Sequence, residues 1–425
     1  MTTVRYVSKI KKVKIEEHGR VVKSDRVIIY EELRDDEGNE LIKIPSSLNC
    51  FLEKWKRTSI NNAKNHADTV CAFLNYIKIQ CEDGDDEEFQ VLEKQGLYGL
   101  NFYHAYRFLD YCIAMKNIRR DTANQYTNRI LDFYEFLLES DILDKKKVRF
   151  EYSYDKVQGS SKKRRRRKNP LIKPPYNLAY PSQENTKLRK LVNMDEHLWQ
   201  LFIEVSRKHA PDITFGIALQ ISGGLRRGEV VNLTLHSIKR KRKFDKDESK
   251  MELVIQDRGD ELFGDREDVN RTKCEVKKPR NQTAYNFDKG LYDKYEKHIQ
   301  IRTKILAETG GNTTALFVDE NGRAMSGERY EKRWAKVKRE FIKVLKESVY
   351  AQHLEFLEMA WGTHIGRGIF TNLCLEYGLA KSARELANLR GDKGIDSSQP
   401  YIDEFNKRKI VIKSLNTMAN DVGGF

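Results

Sequence analysis

Along this chain the spacing of apolar positions changes character after residue 45. Before it the pattern is strand-like: Val27 to Tyr30 and Leu41 to Ile44 are β-prone runs, and the D-D-E-G-N-E stretch at 35–40 between them is turn chemistry. From Ser46 the apolar residues fall three and four apart. Tyr126, Ile130, Phe133, Tyr134, Leu137 and Leu138 make one stripe of a long helix, with Asp121 as the expected N-cap. Similar stripes run from Phe51 to Ile77 and from Leu100 to Ala114. Residues 46–140 therefore predict a helical bundle, with the acidic run at 82–88 as a solvated loop.

Over 141–185 the pattern lapses. Lys162 to Lys168 are seven consecutive basic residues (KKRRRRK), followed by Pro170, Pro174, Pro175 and Pro181. Like charges in a row repel one another and resist burial, so this stretch predicts a linker. From 186 to 425 helical stripes surround a β-rich island, with Leu253–Gln256 and Gln282–Phe287 as its strands. Between them lies a highly charged insertion at 257–275, which could add DNA contacts. The fold class expected is mainly α with a small β component (α+β). Its parts are a β-rich segment at 1–45, helices at 46–140, a linker at 141–185, and a mixed domain with a C-terminal tail at 186–425.

Composition narrows the partners. The formal net charge of +15 favours a polyanion, and nucleic acid is the leading one because Lys and Arg gain affinity by neutralising phosphates. Lys162, Lys163, Arg164, Arg165, Arg166, Arg167 and Lys168 are the candidate DNA contacts; the alternative is a solvated charge run. No apolar run approaches the roughly 20 residues of a membrane span, and the basic N-terminus lacks the apolar region of a signal peptide. A cytoplasmic, nucleoid-associated protein is expected. The six cysteines are widely and irregularly spaced, which reads as reduced, mostly buried thiols. Neither H-E-x-x-H nor a P-loop occurs, so no metal or nucleotide cofactor is expected.

Three stretches carry candidate chemistry: S-G-G-L-R-R-G-E-V-V-N-L-T-L (222–235), T-H-I-G-R-G-I-F-T-N-L (363–373) and L-R-G-D-K-G-I-D-S-S-Q-P-Y-I (389–402). Singly each has an ordinary structural reading. A phosphodiester resists nucleophilic attack because its non-bridging oxygens are anionic. Arg226 and Arg367 could neutralise them through bidentate, permanently charged guanidinium groups. His364 and Arg367, three apart, share a helix face, which places an acid–base group beside a phosphate-binding one. A tyrosine such as Tyr401 can store the cleaved bond as a phosphotyrosine.

In this order the stretches resemble the tyrosine recombinase (phage integrase) family, whose pattern is G-L-R-x-x-E, then H-x-x-R, then a C-terminal tyrosine. Gly224-Leu225-Arg226 with Glu229 fits the first box, and His364 with Arg367 fits the second. His364 and Tyr401 are 37 residues apart, the length such enzymes use. The resemblance covers roughly 200–410 strongly and 46–140 more weakly. It implies a helical, SAM-like core-binding domain plus a catalytic domain, double-stranded DNA as partner, and a homo-oligomer that is tetrameric on synapsed DNA. A hairpin lysine between the boxes would protonate the leaving 5′ oxygen; Lys277 fits best, with Lys278 and Lys273 as alternatives. Glu229 would support Arg226. The chain departs from the pattern at Asp392, nine residues before Tyr401, where the family has His or Trp. Either Lys393 takes that role, or Asp392 turns outward or is held protonated. The C-terminal tail has an apolar stripe at Ile410, Ile412, Leu415 and Met418, which could dock on a neighbouring protomer or on its own core. Two other readings stay open: a type IB topoisomerase-like enzyme, and a catalytically silent DNA-binding protein.

Overall fold

The computed structural model describes residues 3–17, 20–55, 59–156, 163–182, 194–239, 248–264, 266–349 and 361–422. The chain is mainly helical with small sheets. It divides into two compact units, Met1–Leu188 and Arg189–Phe425.

The first unit opens with a three-stranded antiparallel sheet in the order β1-β2-β3: β1 (Thr3–Glu17), β2 (Arg20–Arg34) and β3 (Glu40–Pro45). The expected strands fall inside β2 and β3. β1 is hidden in the sequence because its lysines break the apolar alternation. Lys9 and Lys11 alternate with Ser8, Ile10 and Lys12, while Val27 and Ile29 of β2 are buried against the helices.

The helices follow as α1 (Ile60–Asp83), α2 (Glu87–Gln95), α3 (Phe102–Ala114) and α4 (Arg120–Glu139). On α1 the buried residues Ala63, Ala67, Val70, Leu74 and Ile77 repeat every three or four positions. On α4 Ile130, Phe133, Tyr134 and Leu137 are buried. Its N-cap is Arg119, so Asp121 lies in the first turn and acts on the helix dipole instead of capping it. The acidic run is only partly loop: Glu82 and Asp83 end α1, Asp86 caps α2 by accepting from the Glu88 N–H at 3.1 Å, and Glu87 and Glu88 open α2.

The linker expectation for 141–185 is corrected. β4 (Tyr152–Lys156) and β5 (Lys163–Arg167) form an antiparallel hairpin, so much of the basic run is a strand of the first unit. What lets like charges fold is local neutralisation. Arg167 donates to Asp132 at 2.9 Å and to Glu135 at 3.0 Å, both on α4. The Arg165 guanidinium lies 3.5 Å from the centre of the Tyr152 ring. Arg165, Arg166 and Lys168 remain exposed or half-exposed; Lys162 and the side chains of Lys163 and Arg164 lie outside the described residues.

The second unit is built around α6. The order is α5 (Glu196–His209), α6 (Pro211–Gly223), α7 (Arg227–Val231), β6 (Lys250–Ile255), α8 (Gly259–Phe263), β7 (Arg280–Tyr285), α9 (Leu291–Thr309), α10 (Gly327–Lys346), α11 (His364–Glu376), α12 (Ala383–Arg390) and α13 (Gln399–Val422). Every position of α6 from Ile213 to Gly223 is buried, as befits a helix enclosed by α5, α9, α11 and β7. β6 and β7 pair antiparallel from Lys250↔Tyr285 to Ile255↔Arg280. The charged insertion folds back between them: Leu262, Phe263, Val269 and Cys274 join the core, and the Asn232 amide donates to the Cys274 carbonyl at 2.6 Å. These buried residues therefore have a structural role in the second unit. The six cysteines are free thiols; Cys71, Cys112, Cys274 and Cys374 are buried and Cys50 is exposed. Among the described residues no helix is long and apolar enough to cross a membrane.

The hairpin separates two kinds of arginine. Arg167→Ala should lower the stability of the first unit by about 1.5–3 kcal/mol, the usual scale for charge-assisted hydrogen bonds, read as a shift in the urea midpoint. Neutralising the exposed Arg166 and Lys168 should move that midpoint far less. It should instead flatten the salt dependence of DNA binding, by up to about 0.9 in log–log slope for each phosphate no longer neutralised. An unchanged slope would keep these residues off the DNA.

Candidate active site

The site lies wholly in the second unit and starts at the end of α6. Gly224 closes that helix in the left-handed region at φ 63°, and a Cβ there would stand 2.5 Å from Phe370 of α11. Only glycine suits both the turn and the approach. The turn delivers Arg226 as N-cap of α7.

Glu229, one turn on, is fully buried. Its carboxylate accepts from the Arg226 backbone N–H at 2.8 Å and from Arg226 Nη1 at 3.0 Å. It also takes a two-pronged contact from Arg280 of β7, at 2.7 and 3.0 Å. Burial alone would raise its pKa, but Arg280 and Arg226 outweigh burial and hold the carboxyl below its ordinary value. Glu229 thus fixes one face of Arg226 and ties the first box to the β-hairpin.

α11 brings the second box. Its start is anchored by Gln220 of α6, which donates to the Thr363 carbonyl at 3.3 Å and accepts from the Tyr330 hydroxyl at 2.8 Å. Arg367 is buried. It donates to the Gly224 carbonyl at 2.5 Å, the Arg390 carbonyl at 2.8 Å and Asp392 Oδ1 at 2.5 Å. Burial, with Arg226 and Arg390 nearby, lowers its pKa to about 10. His364, on the same face, is exposed. The surrounding protein bulk, followed by the charges of Arg367, Arg226, Arg227 and Lys277, pushes its pKa below the ordinary value, so the ring is neutral at pH 7.

Asp392 corrects the expectation most sharply. It neither turns outward nor is held protonated. Its side chain is buried, and Oδ1 accepts from both Arg226 (2.6 Å) and Arg367 (2.5 Å). Oδ2 accepts from the Ser397 hydroxyl at 2.9 Å and lies 3.1 Å from Arg390 Nε. Burial works to raise its pKa, but Arg367 and Arg390 prevail and the carboxyl is held below its ordinary value. Lys393 is exposed.

Tyr401 lies in the first turn of α13, half-buried against a cluster formed by Phe370, Cys374, Leu375, Ala380 and Leu386. The Arg390 guanidinium stands 5.3 Å from its ring centre. Burial raises the phenol pKa despite Arg390 and Arg367, so the hydroxyl is protonated at neutral pH. Tyr401, Ile402 and Phe405 pack on their own unit's core; Ile410 is exposed, and the side chains of Ile412, Leu415 and Met418 lie outside the described residues.

Of the three lysines, Lys277 is exposed in the bend just before β7, not within a strand. Lys278 is its exposed neighbour. Lys273 is held by Glu331 at 2.8 Å. Among the described residues no group of His, Cys, Asp and Glu could hold a metal ion.

The structure thus brings Arg226, Glu229, His364, Arg367, Asp392 and Tyr401 together, with Lys277 at the rim. Sequence reasoning missed Arg280 and Arg390. Nothing in its spacing marks Arg280. Arg390 carried a local signal: in R-G-D it stands two residues from Asp392, close enough to pair with that carboxylate.

No family model matches this chain, and no curated protein matches it. Among solved structures it is similar to the XerH site-specific recombinase bound to difH substrate, with 12% identity, TM-score 0.47, and 80% of this chain and 77% of that one covered. It is also similar to the Tn1549 transposon integrase in complex with circular intermediate DNA, with 13% identity, TM-score 0.42, and 78% and 94% covered. A lambda integrase dimer bound to a COC′ core site matches with 9% identity, TM-score 0.42, and 78% and 94% covered.

The Glu229 carboxylate should be the electrostatic keystone of this unit. Glu229→Gln strands two guanidinium groups and should cost about 3 kcal/mol, measured by denaturant unfolding. Because Glu229 and Asp392 both have depressed folded-state values, their stabilisation is present above the unfolded-chain values near pH 4. It should fade as pH falls through the lower folded ones. The wild-type chain should therefore lose stability below about pH 4, and Glu229→Gln should show a shallower acid slope.

Proposed function

We propose that this chain is a tyrosine recombinase: a site-specific DNA integrase or recombinase that cuts one strand at a time through a 3′-phosphotyrosyl bond to Tyr401. The observation that supports it most is the meeting of Arg226 and Arg367 on a single oxygen of Asp392, whose other oxygen faces Arg390, itself 5.3 Å from the Tyr401 ring centre. A site that holds a carboxylate this way can hold a phosphodiester oxygen.

In the proposed reaction the two guanidiniums bind the non-bridging oxygens and spread the charge of the pentavalent transition state. The Tyr401 oxygen attacks phosphorus while the bond to the 5′ oxygen breaks. His364, neutral at physiological pH, takes the phenol proton, and Lys277 supplies one to the departing 5′ oxygen. The energy of the broken bond is kept in the phosphotyrosine, so rejoining reverses the same steps. Double-stranded DNA is the partner, and strand exchange between two sites calls for a homo-oligomer, tetrameric at the synapse.

One observation favours a second reading, a silent DNA-binding protein: Asp392 already occupies the arginines. A denaturing gel separates the two. Incubated with nicked suicide DNA from its own element in EDTA, the wild-type chain should form a covalent protein–DNA adduct that Tyr401→Phe abolishes. Its rate should hold down through the ordinary imidazole value of about 6.5 and fall only at lower pH, because the His364 ring stays neutral further into acid than a free imidazole. No adduct with the cognate DNA would support the silent binder; supercoil relaxation without exchange would support a topoisomerase-like enzyme.

A further inference from the structure

The resemblance leaves a gap at the phosphate. The position nine before the tyrosine should offer a hydrogen-bond donor, and Asp392 cannot donate while ionised. Beyond Arg226 and Arg367, two donors face the Asp392 carboxylate: the Ser397 hydroxyl at 2.9 Å and Arg390, the one that carries a charge. Its side chain is only 8% exposed, and Nη1 donates to the Ser397 carbonyl at 3.0 Å. Its Nε stands 3.1 Å from Asp392 Oδ2, yet among the described residues that buried N–H has no hydrogen-bond partner. A buried donor aimed at an anion, off the line of a hydrogen bond, is poised for an acceptor of slightly different shape.

Asp392 has the properties of a placeholder. It carries one negative charge on two oxygens, as a phosphodiester does, and its Oδ1 sits where Arg226 and Arg367 converge. It belongs to the short segment between α12 and α13, so its movement would stay within residues 391–398. Exchange of one monoanion for another would leave the charge of the site unchanged. It would also spare Arg226, Arg367 and Arg390 from ever being buried without a counterion.

Building on the tyrosine-recombinase reading, we propose that Arg390 is a third phosphate-binding guanidinium. It fills the donor place that Asp392 cannot, and Asp392 holds that place only until the substrate phosphate displaces it. Arg390 also faces the Tyr401 ring and is bonded to the segment leading into α13. It therefore links arrival of the phosphate to the placement of the nucleophile.

The test is an NMR titration of the full chain, with ¹⁵N-labelled arginine side chains, using diethyl phosphate as a minimal phosphodiester. Resonances are assigned by single Arg→Lys variants. The Nε–H signals of Arg226, Arg367 and Arg390 should move together with one midpoint. In Asp392→Asn, which removes the competing charge but keeps the shape, the midpoint should fall at least tenfold. Movement of Arg226 and Arg367 without Arg390 would overturn the proposal while sparing the tyrosine-recombinase reading. An unchanged or raised midpoint in Asp392→Asn, with the fold retained, would overturn the placeholder role. If none of the three moves, both the proposal and the reading beneath it fail.

Discussion

Buried arginines must be neutralised, and the second unit is organised around that constraint. Arg226, Arg280, Arg367 and Arg390 converge in one region, and the acids that answer them are Glu229 and Asp392. Each carboxylate serves more than one arginine. Glu229 joins α7 to the β-hairpin, and Asp392 joins α7 to α11 and to the approach to α13. Isolated charges would cost several kcal/mol each to bury, so neither acid can be removed without consequence for the geometry of the cations. The same network that could hold a phosphate also fastens the elements that carry it.

Packing sets where these charges meet. α6 is enclosed on all sides, and small residues where α11 approaches let the backbones come close: a Cβ at Gly366 would stand 2.8 Å from the Gln220 Cβ. That approach puts the Gly224 carbonyl within reach of Arg367, so a backbone group of the first box orients the guanidinium of the second. The insertion at 257–275 buttresses this arrangement, since Asn232 at the end of α7 bonds to its Cys274 carbonyl. Within it Arg266 pairs with Asp268 and donates to the Ala324 carbonyl, and Arg271 pairs with Asp260.

Helices with one apolar face were legible in the sequence because burial imposes a period of three to four, as on α4. The hairpin strands β6 and β7 were placed to within two or three residues. β1 and β5 were not legible: both are basic, and their stability depends on a partner strand and on acids distant in sequence, such as Asp132 and Glu135 for Arg167. At the site, Arg226, His364, Arg367 and Tyr401 stood out through their order and spacing. Arg280 did not, because its tie to Glu229 spans 51 positions and follows no local rule. The inward turn of Asp392 was hidden for a related reason. Repulsion from a phosphate argues for an outward carboxylate, whereas the attraction that wins comes from three arginines that only the folded chain gathers around it.

If the site works as proposed, a non-bridging phosphate oxygen takes the place of Asp392 Oδ1 between Arg226 and Arg367, and its phosphorus comes within reach of the Tyr401 oxygen. A crystal structure of the chain soaked with orthovanadate tests this directly, because vanadate adopts the five-coordinate shape of the transition state. The expected density places vanadium between Arg226 and Arg367 with Asp392 displaced and the Tyr401 oxygen as an apical ligand. Vanadate bound elsewhere, with Asp392 still bridging the two arginines and Tyr401 out of reach, would contradict it.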